Sequence, residues 1–230
     1  NPQIFLDVNS EATRKLFTAC IEQDVDRVIF ASSAAVYGSS DKETKKIGEE
    51  GKPTSPYAET KLQGERIARN LSSENTTFAC LRFFNVYGPS QKIDGEYSAV
   101  IPSFIQKAIS GKDVEIHGDG GQTRDFIHVS DVCSAIISSI STPLPSFSLT
   151  NVGSGIGISI SELANIISVL VESAGFRPLK LIHSSQRLGD VRDSTADISG
   201  LDQLLDLGSL TPLEVGLRDL IKRTLDESNA

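Results

Sequence analysis

The sequence predicts a doubly wound α/β fold, in which helices cover both faces of a parallel β-sheet. Two segments, "RVIFASS" from Arg27 and "TFACLRFF" from Thr77, are almost uniformly apolar, which is typical of strands buried on both faces of such a sheet. A helical pattern precedes the first segment, and a second helical pattern separates it from the next. Strand, helix and strand in this order imply a right-handed crossover and a parallel pair.

The first half of the chain contains two predicted helices. Ser10 is a candidate cap for the first helix, because apolar residues follow it at a helical period until about Gln23. The second helix begins near Ser55 and runs to about Leu71. Two irregular stretches complete this half, a polar loop from 39 to 54 and a segment from 85 to 96.

The second half, from Ala99 onward, alternates shorter elements. Ser159 and Glu162 form a capping-box pattern at the start of one helix. We also expect short strands at "VEIHG", "RDFIHV", "FSLTNV" and "LKLIHS", and helices that end at Ile109, begin at Ser130, and lie near Asp197 and Leu213. These segments predict a smaller mixed domain over 96–230, following a larger one over 1–95, with a stretch at about 125–152 that returns to the larger sheet.

Composition excludes several kinds of partner. A formal charge of −8 argues against nucleic acid, because binding to phosphate backbones needs clustered Lys and Arg. No apolar run approaches the roughly 18 to 20 residues that a membrane-spanning helix needs. Cys20, Cys80 and Cys133 are odd in number and lie in apolar surroundings, which predicts buried thiols in the reducing cytoplasm and no metal site.

Residues just after the two strands are candidates for a ligand site, since ligands of open α/β sheets bind beyond the carboxyl ends of the strands. Ser33 follows the first strand, and Phe84 and Asn85 follow the second. Tyr57 and Lys61 stand four apart, on one face of the intervening helix. An ammonium close to a phenol favours the phenolate by Coulomb attraction, and a phenolate acts as a general base.

Several motifs in order carry a resemblance to a known family. "ASSAAVYG", "SPYAETK" and "LRFFNVYGP" are followed by "VIPSFIQKAISGKDVEIHGDGGQTRDFIHVSDV", "TNVGSG" and "RLGDVRDSTADIS", and "NSEATRKLFTAC" precedes them. In this order they closely resemble the extended short-chain dehydrogenase/reductases, and more narrowly the NAD-dependent nucleotide-sugar epimerases. The resemblance implies a Rossmann-type sheet and NAD as cofactor.

The resemblance also implies roles for individual residues. Tyr57 would be the catalytic base, Lys61 would hold the nicotinamide ribose and favour the phenolate, and Ser33 would donate a hydrogen bond to the reacting oxygen. Asn9 and Phe84 would border the cofactor. A structural role, such as a strand-end cap for Ser33, is the alternative when each residue is considered alone.

A second set of residues would contact a UDP-sugar. Asn85, Arg124 and Arg187 would bind the sugar diphosphate, since guanidinium groups match phosphate oxygens. The edge around Glu115 and His117 would face the nucleotide base. The alternatives are a turn-forming Asn85, a surface pair of Arg124 with Asp125, and a structural role for His117.

The residues after Ser33 bear on the reaction. Related dehydratases carry an acidic pair where this chain has Ala34 and Ala35, so we expect no elimination chemistry. The remaining set suits 4-epimerisation of a UDP-hexose through a 4-keto sugar. Ser194 stands where some relatives have a tyrosine, which leaves room for a 2-acetamido group and favours a UDP-N-acetylhexosamine.

Two glycine features limit the resemblance. "GSGIG", from Gly153 to Gly157, is not a dinucleotide-binding turn, because the spacing differs from G-x-G-x-x-G and no suitable acid follows. The family's glycine-rich turn and about four strands would lie before Asn1, and the chain has no methionine, so we expect preceding residues. "RVIFASS" would then present an unpaired strand edge.

Three hypotheses remain open from the sequence. The chain is part of a complete epimerase, or a natural fragment that binds nucleotide sugars without redox activity, or a dehydratase, decarboxylase or reductase of the same fold. In this family the helices around Glu11–Gln23 and Tyr57–Leu71 commonly pair across a two-fold axis. We therefore also expect a homodimer.

Overall fold

The computed structural model describes residues 6–91, 99–186, 191–204 and 206–228. Its α-helices are α1 (Ala12–Glu22), α2 (Pro56–Leu71), α3 (Val100–Ile109), α4 (Val129–Ser141), α5 (Ile160–Ser173) and α6 (Leu213–Ser228). Its strands are β1 (Arg27–Ser33), β2 (Thr44–Lys45), β3 (Thr77–Phe83), β4 (Asn85–Tyr87), β5 (Val114–His117), β6 (Thr123–His128), β7 (Phe147–Val152), β8 (Gly157–Ser159), β9 (Leu181–Ser184) and β10 (Thr195–Ala196). The mixed order of helices and parallel strands confirms the predicted α/β class.

The main sheet is parallel and has the strand order β1–β3–β7. Helices cover both of its faces, as the crossovers predicted. On one face, Phe17 of α1 and Ile67 of α2 pack against Phe78. On the other face, Val132 and Ala135 of α4 pack close to Leu81. The two faces are therefore apolar, and the ends of the strands carry the polar side chains.

Strand β1 differs from the expectation. It was predicted to be buried on both faces, but its residues are mostly half-buried, and Ala31 is exposed. In the part of the chain that the structure describes, β1 pairs with β3 alone and forms one edge of the sheet. An edge strand keeps one row of its backbone groups and part of its side chains accessible.

Three smaller sheets complete the fold, with strand orders β4–β6–β8, β5–β9 and β10–β2. Helices α3, α5 and α6 pack around a separate core next to the first two of these sheets; this core includes Phe104, Leu163 and Leu217. Strand β7 lies between β6 and β8 in the sequence, but it pairs with β3 in the main sheet. The division into domains 1–95 and 96–230 remains a prediction.

Several local predictions are wrong in instructive ways. Ser10 does not cap a helix, because a π-helical turn over Leu6–Glu11 runs straight into α1, and the Ser10 hydroxyl donates instead to Gln63 Oε1 (2.7 Å). The helix expected near Asp197 is only a short 3₁₀ turn at Leu201–Gln203. Cys80 is buried, but Cys20 is half-buried.

Cys133 is exposed, because it lies on the outward face of α4. Ile137 and Ile140, one and two turns further along that helix, are also exposed. An amphipathic pattern places residues on a face, but it does not show whether another element covers that face. In the described ranges, no helix is both long and apolar enough to cross a bilayer.

Candidate active site

The ends of β1 and β3 lie level, because the parallel register aligns Ser33 with Phe83. A cavity of about 320 Å³ opens beyond these ends. It is lined by Ser33, Ala34, Ala35, Tyr37, Gly38, Lys45, Thr54, Ser55, Phe83, Phe84, Asn85, Arg124, Val191 and Ser194. Pockets of 300–1,000 Å³ commonly hold small molecules, so this cavity is the candidate substrate site.

Ser33 stands where β1 turns into a short 3₁₀ helix over Ala34–Tyr37. Its backbone is extended, and its Oγ accepts a hydrogen bond from the amide of Ala35 (3.2 Å). The hydroxyl proton is left available for another acceptor, since this contact uses only an oxygen lone pair. Ser33 is therefore a local cap and also a hydrogen-bond donor at the cavity wall.

Helix α2 carries Tyr57 and Lys61 and begins at the cavity wall, although neither of these two side chains lines the cavity itself. The helix begins after Ser55, which lines the cavity and accepts a hydrogen bond from the amide of Ala58 (3.1 Å). Tyr57, in the first turn, is 38% exposed, so a ligand can reach its ring. The ammonium of Lys61 lies 5.6 Å from the centre of that ring. The two side chains therefore lie side by side, as their four-residue spacing on a helix predicted.

Lys61 is also anchored to the main sheet. Its Nζ donates to the carbonyl oxygen of Ala31 in β1 (2.9 Å) and lies 5.2 Å from the ring centre of Phe30. Burial lowers the pKa of Lys61 below its ordinary value of 10.5. An ammonium has three N–H donors, and in the described chain only one acceptor is engaged. Two donors remain for a ligand.

A buried ion-pair network holds α2 against the strand ends, and the sequence reasoning missed it. The carboxylate of Glu65 accepts from Arg82 at both oxygens (Nε 2.9 Å, Nη2 2.7 Å) and from Ser32 Oγ (2.5 Å). Arg82 also pairs with Glu50. Glu65 stands four residues after Lys61, and Arg82 interrupts an apolar strand; these two features were the available signals.

Asn9 and Phe84 flank this region from different sides. The side-chain amide of Asn9 donates to Thr60 Oγ1 of α2 (3.4 Å), so the turn before α1 lies against the Tyr57 helix. Phe84 is buried, and its ring centre lies 6.2 Å from that of Tyr37. Of the two, only Phe84 lines the cavity.

Asn85, Arg124 and Ser194 line the opposite part of the cavity. The side-chain amide of Asn85 donates to the carbonyl oxygen of Asp125 (3.0 Å), which ties β4 to β6. Arg124 Nη1 donates to the carbonyl oxygen of Thr123 (2.6 Å). The three residues come from distant parts of the sequence, so only the fold brings them together.

Asp125 is a structural residue that the sequence reasoning considered only as a surface partner of Arg124. It is fully buried, and its carboxylate accepts from the amides of Ser154, Gly155 and Ala196 and from Ser154 Oγ, over 2.6–3.0 Å. Burial raises the pKa of Asp125. The surface pairing considered for Asp125 is therefore wrong, because the side chain points into the protein.

The same contacts explain the "GSGIG" turn. Its amides at Ser154 and Gly155 are used by Asp125, so they do not form a free phosphate cradle. A Cβ at Gly153 would lie 2.6 Å from that of Ala196 and 2.7 Å from Asp125 Oδ2, so the glycine is required for close packing. The turn links β7 to β8 and has a structural role.

Glu115 and His117 lie apart from the main cavity. Glu115 is exposed on β5, and His117 Nδ1 contacts Ser184 Oγ of β9 (2.9 Å). His117 lines a second cavity of about 200 Å³, together with Gln186 and Arg192 among others. Arg187 lies outside the described residues.

A parallel sheet with its cavity at the strand ends, flanked by a helix that carries Tyr57 and Lys61, defines the class of short-chain dehydrogenase/reductase proteins. The chain belongs to one family within that class. The sequence profile of the NAD dependent epimerase/dehydratase family matches residues 1–153. Members of this family use NAD, and similar structures have been solved with NAD bound.

Individual relatives are similar over nearly the whole chain. The uncharacterised UDP-glucose epimerase YtcB of Bacillus subtilis is 33% identical over 93% of this chain and 65% of its own length. The UDP-N-acetylglucosamine 4-epimerase of Methanobrevibacter ruminantium, solved with UDP-N-acetylmuramic acid, is 35% identical over 99% of this chain and 72% of its own, with a TM-score of 0.89. The chain thus spans about two thirds of these relatives.

Relatives with other activities are also similar. MoeE5, solved with UDP-glucuronic acid and NAD, is 36% identical over 96% of this chain and 72% of its own, with a TM-score of 0.83. A UDP-N-acetyl-alpha-D-glucosaminuronate decarboxylase of Bacillus cytotoxicus is 29% identical over 94% of this chain and 69% of its own. The NDP-hexosamine 5,6-dehydratase TunA is 26% identical over 98% of this chain and 71% of its own, with a TM-score of 0.84. Family membership therefore leaves the reaction open.

The side chains present fit the nicotinamide end of NAD. Lys61 offers two unused N–H donors, and Tyr57 presents an accessible ring beside it. Lys61 contacts Ala31 of β1, which is an edge strand in the part of the chain that the structure describes, and Ser33 ends the same strand. These groups suit the hydroxyls of a ribose and a reacting sugar oxygen.

Proposed function

We propose that this protein takes part in NAD-dependent 4-epimerisation of a UDP-hexose or UDP-N-acetylhexosamine. The observation that carries the proposal is that helix α2, on which Tyr57 and Lys61 lie side by side, begins after Ser55 on the wall of the cavity that Ser33 also lines. Because the chain spans only part of its relatives, the activity is proposed for the protein in which these residues occur. NAD would accept a hydride from C4 of the sugar and return it.

Each residue then has a defined task. Tyr57 removes the proton from the 4-hydroxyl, and the positive charge of Lys61 stabilises the resulting phenolate. Ser33 donates a hydrogen bond to the same oxygen, which becomes the oxygen of a 4-keto sugar. Asn85, Arg124 and Arg187 hold the diphosphate while the sugar turns over between the two hydride transfers, and Asn9 and Phe84 border the cofactor.

The composition of the cavity wall supports epimerisation over elimination. Ala34 and Ala35 follow Ser33 at the wall, and no acidic side chain lines the cavity in the described residues. A dehydratase needs a proton donor for the departing hydroxyl, and these positions do not provide one. We therefore do not expect this protein to share the activity of its dehydratase and decarboxylase relatives.

Ser194 supports a substrate with a 2-acetamido group, because its small side chain lines the cavity where a tyrosine would fill space.

The edge at Glu115 and His117 is proposed to face the uracil ring through backbone groups. Exposed Leu16 on α1 is consistent with a two-fold helix pairing, and we also propose that the protein is a homodimer and that it is cytoplasmic.

The test is the change Tyr57→Phe, which removes only the phenolic oxygen. We expect conversion of UDP-N-acetylglucosamine to its 4-epimer to fall by about 10²–10⁴-fold, the usual contribution of a general acid–base group. Anomeric proton NMR of the product distinguishes the two epimers, and mass spectrometry detects loss of water or CO₂.

The matched control is Tyr87→Phe, which removes the phenolic oxygen of a tyrosine that does not line the cavity. Full epimerisation by Tyr57→Phe would contradict the mechanism. A product lighter by the mass of water or CO₂ would mean that the reaction is dehydration or decarboxylation and not epimerisation. Turnover of UDP-glucose but not of UDP-N-acetylglucosamine would contradict the proposal that the substrate carries a 2-acetamido group.

A further inference from the structure

We propose that Lys45 forms a subsite for a carboxylate carried by the sugar of the nucleotide-sugar substrate. This inference rests on the proposed function and narrows its substrate class to sugars with an acidic substituent. No role was assigned to Lys45 from the sequence, where it lies in the polar loop before α2.

The substrate cavity continues into a neighbouring space. A cavity of about 290 Å³ lies between the loop after Gly38 and the segment at Val191, and four residues line both spaces: Gly38, Lys45, Thr54 and Val191. Ser194 lines the first space, and the charged residues Asp41, Arg192 and Asp193 line the second. A substituent on the bound sugar therefore has room to extend past Ser194 along the side where Lys45 lies.

Lys45 is a buried cation at this shared wall. It is 2% exposed, and its Nζ donates to the carbonyl oxygens of Ser40 (2.9 Å) and Lys42. Within the described ranges no carboxylate lies within ion-pair distance of this ammonium, and its third N–H has no acceptor. Buried charges are normally paired, so a missing anion is the simplest way to complete the site.

The charges around Lys45 favour an anion in the cavity. Burial lowers the pKa of Lys45; Asp193 and Asp41 oppose this shift, and Arg124 adds to it. Arg124 and Lys45 both line the substrate cavity, where no described acidic residue is present. Two cations at one cavity wall attract negative charge and repel each other when the cavity is empty.

Arg124 is already proposed to bind the diphosphate, so the sugar itself is the source of the second anion. The group must be an anionic acceptor for the remaining N–H of the ammonium, and a carboxylate is an anion that a sugar can carry. It can belong to C6 of a hexuronate or to an acidic ether on an N-acetylhexosamine. Both sources present the same chemistry to Lys45.

The experiment measures binding by calorimetry, with no turnover required. The ligands form two matched pairs, UDP-glucuronate against UDP-glucose and UDP-N-acetylmuramate against UDP-N-acetylglucosamine, and UDP serves as the common core. The variants are Lys45→Met and, as a matched control, Lys46→Met, since Lys46 is the adjacent exposed lysine. Thermal unfolding monitors the fold of each variant.

We expect the protein to bind the acidic member of at least one pair about 10- to 100-fold more tightly than its neutral partner, the factor of one charge-assisted hydrogen bond. Lys45→Met should abolish this preference, and Lys46→Met should keep it. The pair that shows the preference identifies the position of the carboxylate.

Three results would overturn the proposal. The first is that the unaltered protein binds the acidic and the neutral UDP-sugar of each pair equally tightly; this measurement requires no variant. The second is that Lys45→Met weakens UDP, UDP-glucose and UDP-glucuronate alike, which would make Lys45 a diphosphate ligand. The third is a preference that survives Lys45→Met, which would leave Lys45 as a residue that only holds its loop.

Lys45→Arg covers the case in which Lys45→Met does not fold, because the arginine keeps the charge and should keep the preference. Failure of this inference can be told from failure of the proposed function. A preference for acidic sugars without any epimer product would remove epimerisation alone. Epimerisation with no preference would remove the carboxylate subsite alone.

Discussion

Lys61 has two kinds of neighbour, and both follow from its position one helical turn after Tyr57. Its ammonium lies over the Tyr57 ring and donates to Ala31 of β1. The sequence predicted the first contact from the spacing of the two residues. The second contact depends on how α2 packs on the sheet, so spacing alone could not predict it.

The buried ammonium predicts a pH dependence. Since burial lowers the pKa of Lys61, epimerisation that needs this charge should decline on the alkaline side below pH 10.5. Lys61→Arg should move this decline to higher pH, because a guanidinium stays protonated. The pH profile of kcat measures both.

The same shift affects folding with a defined sign. Charged Lys61 is disfavoured in the folded state, so its cost is fully present below its folded pKa. The free energy of unfolding should therefore rise as pH increases from that pKa toward 10.5. If kcat declined at the same alkaline pH in Lys61→Arg as in the unaltered protein, that decline would not be due to Lys61.

At the scale of single elements, helix α2 depends on Glu65. The helix was correctly predicted from Ser55 to Leu71, because a Ser-Pro start and a helical period are local signals. Its attachment to β1 and β3 through Ser32 and Arg82 was missed. Local patterns set the limits of an element, whereas buried ion pairs join residues that are far apart in sequence.

Glu65→Gln tests this attachment. The change removes one partner of a buried ion pair and should lower the free energy of unfolding by about 3 kcal/mol. Urea unfolding followed by circular dichroism measures the difference. Glu74→Gln, the same change at an exposed site just beyond α2, should alter stability by less than about 0.5 kcal/mol. Equal effects of the two changes would remove the special role of Glu65.

At the scale of the whole molecule, Asp125 joins parts of the chain that the sequence does not connect. Its carboxylate in β6 receives amides from the turn after β7 and from β10. Asn85 is tied to the backbone of the same residue. The wall that carries Arg124 and Ser194 is therefore held in place by one buried acid.

Asp125→Asn should destabilise the protein although it removes a buried charge. Each oxygen of the carboxylate accepts two hydrogen bonds, and the amide nitrogen of asparagine would face two of those donors. Leaving buried donors unpaired costs about 1–3 kcal/mol each, so we expect a loss of about 3 kcal/mol in urea unfolding. Asp202→Asn, at an exposed site, is the control. A neutral or stabilising Asp125→Asn would show that the charge costs more than its hydrogen bonds contribute.

The order of helices and strands, the Tyr57–Lys61 pairing and the family could all be inferred from the amino-acid sequence, because periodicity, capping and motif order are local or one-dimensional signals. The exposure of Cys133, the burial of Asp125 and the meeting of Lys45 with Arg124 at one cavity could not. These features depend on which distant segments pack together, and the free energy of burying a charge or pairing a strand is set by those neighbours.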